Sequence, residues 1–415
     1  MNDSLPGSFQ VRPLRNAHID STFYPREIYS LKSQRVEVTR YPLISTFRFT
    51  SKRPYGWGDY GLIPSPGFQA YVSGGASVKW RRFEVRLLPE LVYAQNKAFS
   101  GFEGFGSRNL DGSRFLYWNT GDNPERFGSG SVFKLAWGQS AFSYGFGAFE
   151  LALTTQNIWW GPGQFNSLTF SNNAQGFPHL SFNTRKPAKT FLGEIEVQMV
   201  SGKLESERYA ASQLDSLNKL YFRPFRDQWR YLNALVLSWN PKWVKGLHVG
   251  GTRTVQTYSD SVSMSFTDIF PVFWGLTKQS VGSDLVGQSD RGKSQQITIF
   301  GRYVFQKAKA EIYFEFGKRD HALNWREFIL NPEHARGYIL GFNKLFELNG
   351  TQSTILVRAE MTQQQESVNR YIRYLGLGGG FSWHMNGSVG GFTNYDQPIG
   401  VGIGTGSNVQ TVEVS

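Results

Sequence analysis

The sequence predicts an all-β fold, with a large antiparallel transmembrane β-barrel and a soluble sandwich or propeller both able to satisfy its pattern. Three observations carry this. Two-faced segments of about 9 to 11 residues recur between turn signals, the length that crosses a bilayer as a tilted strand. Aromatic residues make up 16% of the chain and glycines number 45, a balance that favours pleated surfaces and tight turns. Finally, no apolar run approaches the roughly 18 residues that a spanning helix needs. A mean hydropathy of -0.37 does not count against a membrane barrel, because such a barrel turns apolar side chains out and polar ones in.

The segments justify this reading in chain order. In RFEVRLLPEL, Phe83, Val85 and Leu87 oppose Arg82, Glu84 and Arg86. In FLGEIEVQM, Ile195, Val197 and Met199 oppose Glu194, Glu196 and Gln198. KLESERYAASQLDSLNKL reads as a short amphipathic loop helix, with Leu204, Ala211, Leu214 and Leu217 or Leu220 along one side. In KAEIYFEFG, Ile312, Phe314 and Phe316 suit lipid while Glu311, Tyr313 and Glu315 suit water, and TILVRAEM repeats the device with Ile355, Val357 and Met361 against Thr354, Arg358 and Glu360. GVGIGTGSN sets Gly400, Gly402, Gly404 and Gly406 at period two, which places them on one strand face and points to close packing. Aromatics cluster near segment ends, in WRRF, YFRPF, YLNALVLSWNPKW and PVFWG, as in the interfacial girdles of barrels.

Several function classes lose support. The 415 residues contain no cysteine, which removes disulfides and thiolate metal sites. GQSDRGKS, Gly287 to Ser294, matches a phosphate-binding loop by letter, but the strand-like QQITIFGRYVF follows it where a helix is required. The six histidines show no metal-ligand spacing, and no nucleophile elbow occurs. The net charge of +12 is spread over strands and turns, unlike the concentrated patch of a nucleic-acid binder. No nucleotide, nucleic acid, metal, cofactor or catalytic group is therefore expected.

NIWWGPGQFNSLTFSNNAQGFPHLSF, with Trp159 to Gly163, Ser171 to Ala174 and Phe177-Pro178, resembles the signature of the Wzi capsule-assembly family of bacterial outer-membrane proteins. RPYGWGDYGLIPSPGFQ, LPELVYAQN, RDQWRYL, NPEHARGYILGF and PIGVGIGTGSN look like further segments of that family in the same order. The resemblance implies an outer-membrane barrel of about 18 strands with a loop-occluded lumen, acting without catalysis as a surface lectin in capsule assembly or attachment. A porin-like channel for small solutes or sugars is the alternative, and an outer-membrane hydrolase a third. The implied partners are a surface or capsular polysaccharide, acidic in character, and outer-membrane lipid.

One domain over 1–415 is expected, with a leader segment over 1–40 and the barrel over 41–415, cut short at its C-terminal end, where NVQTVEVS alternates without a following turn. The opening residues hold no secretory signal, so one is expected either to have been removed or to lie outside this chain. Trp159, Trp160, Asn172, Asn173 and Arg185 form a candidate polysaccharide surface, since indoles stack on sugar faces while amides and guanidinium groups bond hydroxyls and carboxylates. The competing reading is structural: Gly161, Pro162 and Gly163 fix a turn, Pro178, Gly402 and Gly404 belong to the same framework, and the paired tryptophans plug or anchor the barrel.

Overall fold

The computed structural model describes residues 27–31, 36–274, 292–319, 335–348, 353–365 and 382–415. Strand segments dominate. The first nine are β1 (Glu27–Leu31), β2 (Val36–Thr50), β3 (Gly67–Trp80), β4 (Phe83–Leu87), β5 (Glu90–Ala94), β6 (Val132–Ala136), β7 (Ala141–Phe146), β8 (Phe149–Thr154) and β9 (His179–Thr184). Then come β10 (Ala188–Thr190), β11 (Gly193–Leu204), β12 (Arg230–Pro241), β13 (Leu247–Tyr258), β14 (Lys293–Phe305) and β15 (Ala310–Arg319). The last are β16 (Arg336–Glu347), β17 (Thr354–Gln363), the small hairpin β18 (Thr393–Asn394) and β19 (Gln397–Pro398), and β20 (Asn408–Val414). The first two strands begin inside the segment expected to lead into the barrel. The main sheet holds 18 of these segments, and all of its ladders are antiparallel.

Several segments are collinear pieces of one stave. β3 pairs first with β5 and then with β4, which themselves pair with β6 and β7. β11 likewise pairs with β9 and then β10. The ladder runs from β1 through β2 and β3 to β8 and β9, then in chain order from β11 to β17, and ends on β20. Among the described residues, no ladder joins β1 to β20.

The connections alternate in length. At one end, tight turns link β3 to β4, β7 to β8, β10 to β11, β12 to β13 and β14 to β15. At the other, long loops follow β2, β5, β8, β11 and β13, and carry the helices α1 (Arg108–Gly121), α2 (Asp215–Tyr221) and α3 (Phe266–Ile269). Short turns on one side and long loops on the other are the habit of outer-membrane barrels.

Burial is inverted relative to a soluble sheet. On β15, Ile312 and Phe314 are 47% and 41% exposed while Glu311 and Glu315 are 2% exposed. Exposed apolar residues recur across the ladder, including Val85, Leu135, Leu153, Leu237, Ile299, Leu340 and Val412. Their strand neighbours on the other face are buried and polar: Gln69, Glu196, Gln198, Asn233, Thr254, Thr298 and Thr362. Only a lipid surround makes that arrangement favourable. Exposed aromatics flank the apolar band at both ends: Trp80, Phe83, Phe191 and Trp243 by the short turns, and Phe49, Phe68 and Trp229 by the loops.

The inner face meets packed chain, not water. Residues 155–178 and 382–407 run through the interior as a plug. Thr169 Oγ1 lies 3.0 Å from Thr252 Oγ1 on β13, and Trp160 Nε1 donates to Gln198 Oε1 on β11 at 2.8 Å. The Asn166 amide donates to Thr362 Oγ1 on β17 at 3.4 Å, and Gln397 Nε2 to the Leu62 carbonyl beside β3 at 3.1 Å. One plug thus touches β17 near one end of the ladder and the loop leading into β3 near the other, so the sheet curls around it. Ile158, Trp160, Phe170, Phe177, Phe392 and Ile399 of the plug share an apolar core with Val200, Leu232, Val236 and Phe300 of the wall.

Two sequence expectations are corrected here, and one helix is added. The helix expected over residues 203–220 is confined to α2, because Leu204 completes β11 and Ala211 sits in the irregular loop between. α1 was not foreseen: RNLDGSRFLYWNTG contains Gly, Ser, Asn and Thr, which are poor helix formers, and its hold comes from burial of Phe115 and Trp118. The glycine run at 400–406 is no strand but an irregular loop with Gly404 at φ +96°. Its expected close packing is present, since a Cβ on Gly402 would meet Asn173 Oδ1 at 2.0 Å. In GQSDRGKS, residues 287–291 lie outside the described residues, while Lys293 and Ser294 open β14 and not a helix.

Candidate functional site

The Trp-Trp-Gly-Pro-Gly stretch is the centre of the plug. Trp159 and Trp160 are 6% and 1% exposed, and Trp159 Nε1 donates to the Gly163 carbonyl at 3.1 Å. Gly161 takes φ +118°, and a Cβ there would meet Glu315 Oε1 at 2.3 Å. That close approach lets two lumen carboxylates collect the backbone amides of the turn. Glu315 accepts from Gly163 N at 2.9 Å and Leu168 N at 2.8 Å. Glu360 accepts from Gln164 N at 2.6 Å, Phe165 N at 3.2 Å and Asn166 N at 2.9 Å, and from the Tyr313 hydroxyl at 2.9 Å. Amides buried without partners are costly, so the carboxylates fix the turn in place.

The remaining sequence-selected residues are placed in two regions. Asn172 donates to the Tyr60 hydroxyl at 3.2 Å, while buried Asn173 donates to the Pro398 carbonyl at 2.8 Å and accepts from Gly58 N at 3.1 Å. These two stand with the tryptophans in the plug framework. Arg185 does not: it is exposed near the short-turn end, where its amide donates to the Ala148 carbonyl at 2.8 Å. The five do not form one surface.

A cleft at the long-loop end gathers a different set. It is a solvent-open depression of about 540 Å³, adjoining solvent included, walled by Trp118 of α1, Tyr209, Phe225, Arg226 and Arg208 of the loop after β11, Tyr258 at the end of β13, and Asp396 of the plug. Asp122 caps α1 in the left-handed region, and its Oδ2 accepts from Thr393 Oγ1 at 2.7 Å and forms an ion pair with the guanidinium of Arg230 at 3.3 Å. Arg230 also donates to the carbonyls of Gly391 and Thr393, locking cleft floor to plug. Asp396 accepts from Ser206 Oγ and from Tyr209 N. Burial and the neighbouring Asp122 charge push its carboxyl up to about 7. Nearer solvent, Arg226 stacks 5.4 Å from the Tyr258 ring and pairs loosely with Asp260, and Arg208 pairs with Asp227.

Aromatic faces next to guanidinium groups suit a sugar chain bearing carboxylates. The sequence reading missed this cleft because its members come from segments far apart in the chain. The available signal was FRPFRDQWR, Phe222 to Arg230, where basic and aromatic residues interleave.

Comparison with known proteins agrees with this architecture. The family model described as capsule assembly protein Wzi matches residues 40–415. Among solved structures, the chain is similar to Wzi of Escherichia coli, described as an outer membrane protein involved in group 1 capsule assembly and a carbohydrate-binding β-barrel. That likeness has a TM-score of 0.54 at 12% identity, covering 96% of this chain and 69% of that one. Weaker likenesses are to the outer membrane protein OmpT of Vibrio cholerae (TM-score 0.30, 12% identity, 81% and 88% covered) and the outer membrane channel DcaP of Acinetobacter baumannii (TM-score 0.28, 8% identity, 81% and 92% covered). No curated protein matches the sequence. With the family model spanning nearly the whole chain and the inverted, plugged sheet beneath it, the chain belongs to the Wzi capsule assembly family of bacterial outer-membrane β-barrel proteins.

Proposed function

We propose that the protein binds an acidic surface or capsular polysaccharide at the long-loop cleft, without transforming it, and so takes part in capsule assembly or attachment. The observation that carries this is the solvent-open cleft in which Tyr209, Phe225 and Tyr258 stand beside Arg208 and Arg226. The long loops of such barrels face outward, which puts the cleft where a capsule lies. The related Escherichia coli protein is described as carbohydrate-binding, which supports the same class of ligand. The plug tryptophans serve the barrel in this reading, holding closed the scaffold on which the cleft is built. A plugged lumen also weighs against the porin-like alternative.

The test is binding of the purified protein, in detergent, to capsular polysaccharide from its own source. Wild type binds in a salt-sensitive manner, and the double variant Arg208→Ala/Arg226→Ala binds about tenfold more weakly, since charge-assisted bonds contribute about 1.5–3 kcal/mol each before solvent screening at such exposed positions. Trp160→Phe, which keeps an aromatic ring but gives up the indole and its bond to Gln198, lowers affinity far less than the arginine pair does. No glycan binding by wild type, or binding indifferent to the arginine pair, sinks the reading.

A glycan hydrolase is the second reading, favoured by the Asp122 and Asp396 carboxyls in one cleft. The contacts weigh against it: Asp122 is neutralised by Arg230, and both oxygens of Asp396 already accept bonds. Release of reducing ends from the bound polymer would establish it.

A further inference from the structure

The opposite end of the barrel carries a charge pattern that glycan binding does not use. Three successive short-turn segments, RKPAKTFLG (185–193), PKWVKGL (241–247) and FQKAKA (305–310), contain, besides Arg185 and Lys309, the five lysines Lys186, Lys189, Lys242, Lys245 and Lys307, and no acidic residue. They are neighbours in space. Lys242 N donates to the Leu192 carbonyl at 3.2 Å, Trp239 Nε1 donates to the same carbonyl at 3.1 Å, and Val304 N donates to the Gly246 carbonyl at 2.9 Å. The five lysines are exposed, and among the described residues none forms an ion pair with a carboxylate. Lys189 stands across the ladder from Glu194 without bridging to it, whereas the neighbouring Lys309 is occupied by Glu347. Between the lysines project two rings, Phe191 at 82% exposure and Trp243 at 65%.

Lysines packed together in water repel one another, and large exposed rings cost free energy there. Both costs vanish at a membrane surface, where rings settle into the headgroup layer and lysine stems reach up to the phosphates. We infer that these three turns form a binding site for phospholipid of net negative headgroup charge, with Lys242, Lys245 and Lys307 on the phosphates and Phe191 and Trp243 anchoring in the interface. A headgroup with its own ammonium would present no net charge to this cluster. The rings favour a lipid over a free phosphate or a soluble acidic polymer, neither of which offers them an apolar surface.

The experiment is native mass spectrometry of the whole protein in detergent micelles doped with phosphatidylglycerol or with phosphatidylcholine. Wild type is expected to retain phosphatidylglycerol about tenfold more than phosphatidylcholine, with the preference lost at high salt. Lys242→Gln/Lys245→Gln/Lys307→Gln is expected to abolish the preference, and Phe191→Ala/Trp243→Ala to lower retention of both lipids. These turn residues are exposed, and an unchanged heat-dependent gel shift confirms that each variant is folded. Equal retention of the two lipids by wild type overturns the inference. So does displacement of phosphatidylglycerol by millimolar inorganic phosphate, which would make this a simple phosphate site. Tight binding of heparin with no lipid preference would instead assign the patch to an acidic polymer.

Discussion

Asp396 shows how much one buried side chain reports about the cleft. It packs among Asp122, Arg230, Ser206 and Tyr209, and its carboxyl rises from an ordinary 3.8 to about 7 through burial first and the Asp122 charge second. The folded state therefore holds a proton that the unfolded chain releases between those two values, so this group's contribution to stability falls as pH rises through that window. His384, buried with a ring nitrogen 2.9 Å from the Val401 carbonyl, acts in the other sense. Its burial lowers it from 6.5 to about 4, so stability falls as pH drops across that interval. The two are separable by Asp396→Asn, which mimics the protonated acid. The variant is expected to be more stable than wild type at pH 8, with the gap closing towards pH 4.5, read from denaturant midpoints in detergent. A gap that does not change with pH would mean that Asp396 keeps no extra proton in the fold.

At the scale of an element, β15 condenses the logic of the barrel. Ile312 and Phe314 face lipid, while Glu311, Tyr313 and Glu315 face the lumen, Glu311 meeting Arg302 of the neighbouring strand and Glu315 the plug amides of Gly163 and Leu168. Placing arginine at Phe314 puts a charge on the lipid face near the middle of the strand, where the cost is about 2–4 kcal/mol. Phe314→Arg should lower the urea midpoint for folding into lipid vesicles accordingly, and an unchanged midpoint would place this face away from lipid. Which residues share a face was legible in the sequence, because alternation is a local property of a strand. What the second face meets was not. Glu311 and Glu315 look like water-facing residues from their neighbours alone; Arg302 and Asn343 of the adjoining strands take up Glu311, and only the return of residues 155–178 through the lumen turns Glu315 into an amide acceptor. The tryptophan pair was legible as a marker of the family and ambiguous as to role for the same reason. The guanidinium of Arg185 suits the same sugar chemistry on sequence alone, yet the intervening strand β9 carries it to the other end of the barrel. The cleft was illegible because Asp122, Arg230, Tyr258 and Asp396 become neighbours only through the fold.

Over the whole molecule, plug and cleft are one construction. The 382–407 segment supplies Asp396 and the Thr393 and Gly391 carbonyls that hold Arg230 on the cleft side. On the lumen side it grips the 155–178 segment: Ser171 N donates to the Ile399 carbonyl at 2.8 Å, and Trp383 Nε1 to the Leu168 carbonyl at 2.9 Å. Glu315 and Glu360 in turn fasten that segment to the wall. Replacing both carboxylates with glutamine keeps their shape but weakens several charge-assisted bonds, at about 1–3 kcal/mol for each site left unsatisfied. Wild type in a planar bilayer should then show no steady conductance, and Glu315→Gln/Glu360→Gln should show open events as the plug loosens, with the heat-dependent gel shift confirming a folded barrel. Because the cleft floor rests on the same segment, glycan affinity should fall in the same variant, although neither carboxylate lines the cleft. Conductance gained with affinity intact would show that the loops hold the cleft by themselves and that the plug only closes the lumen.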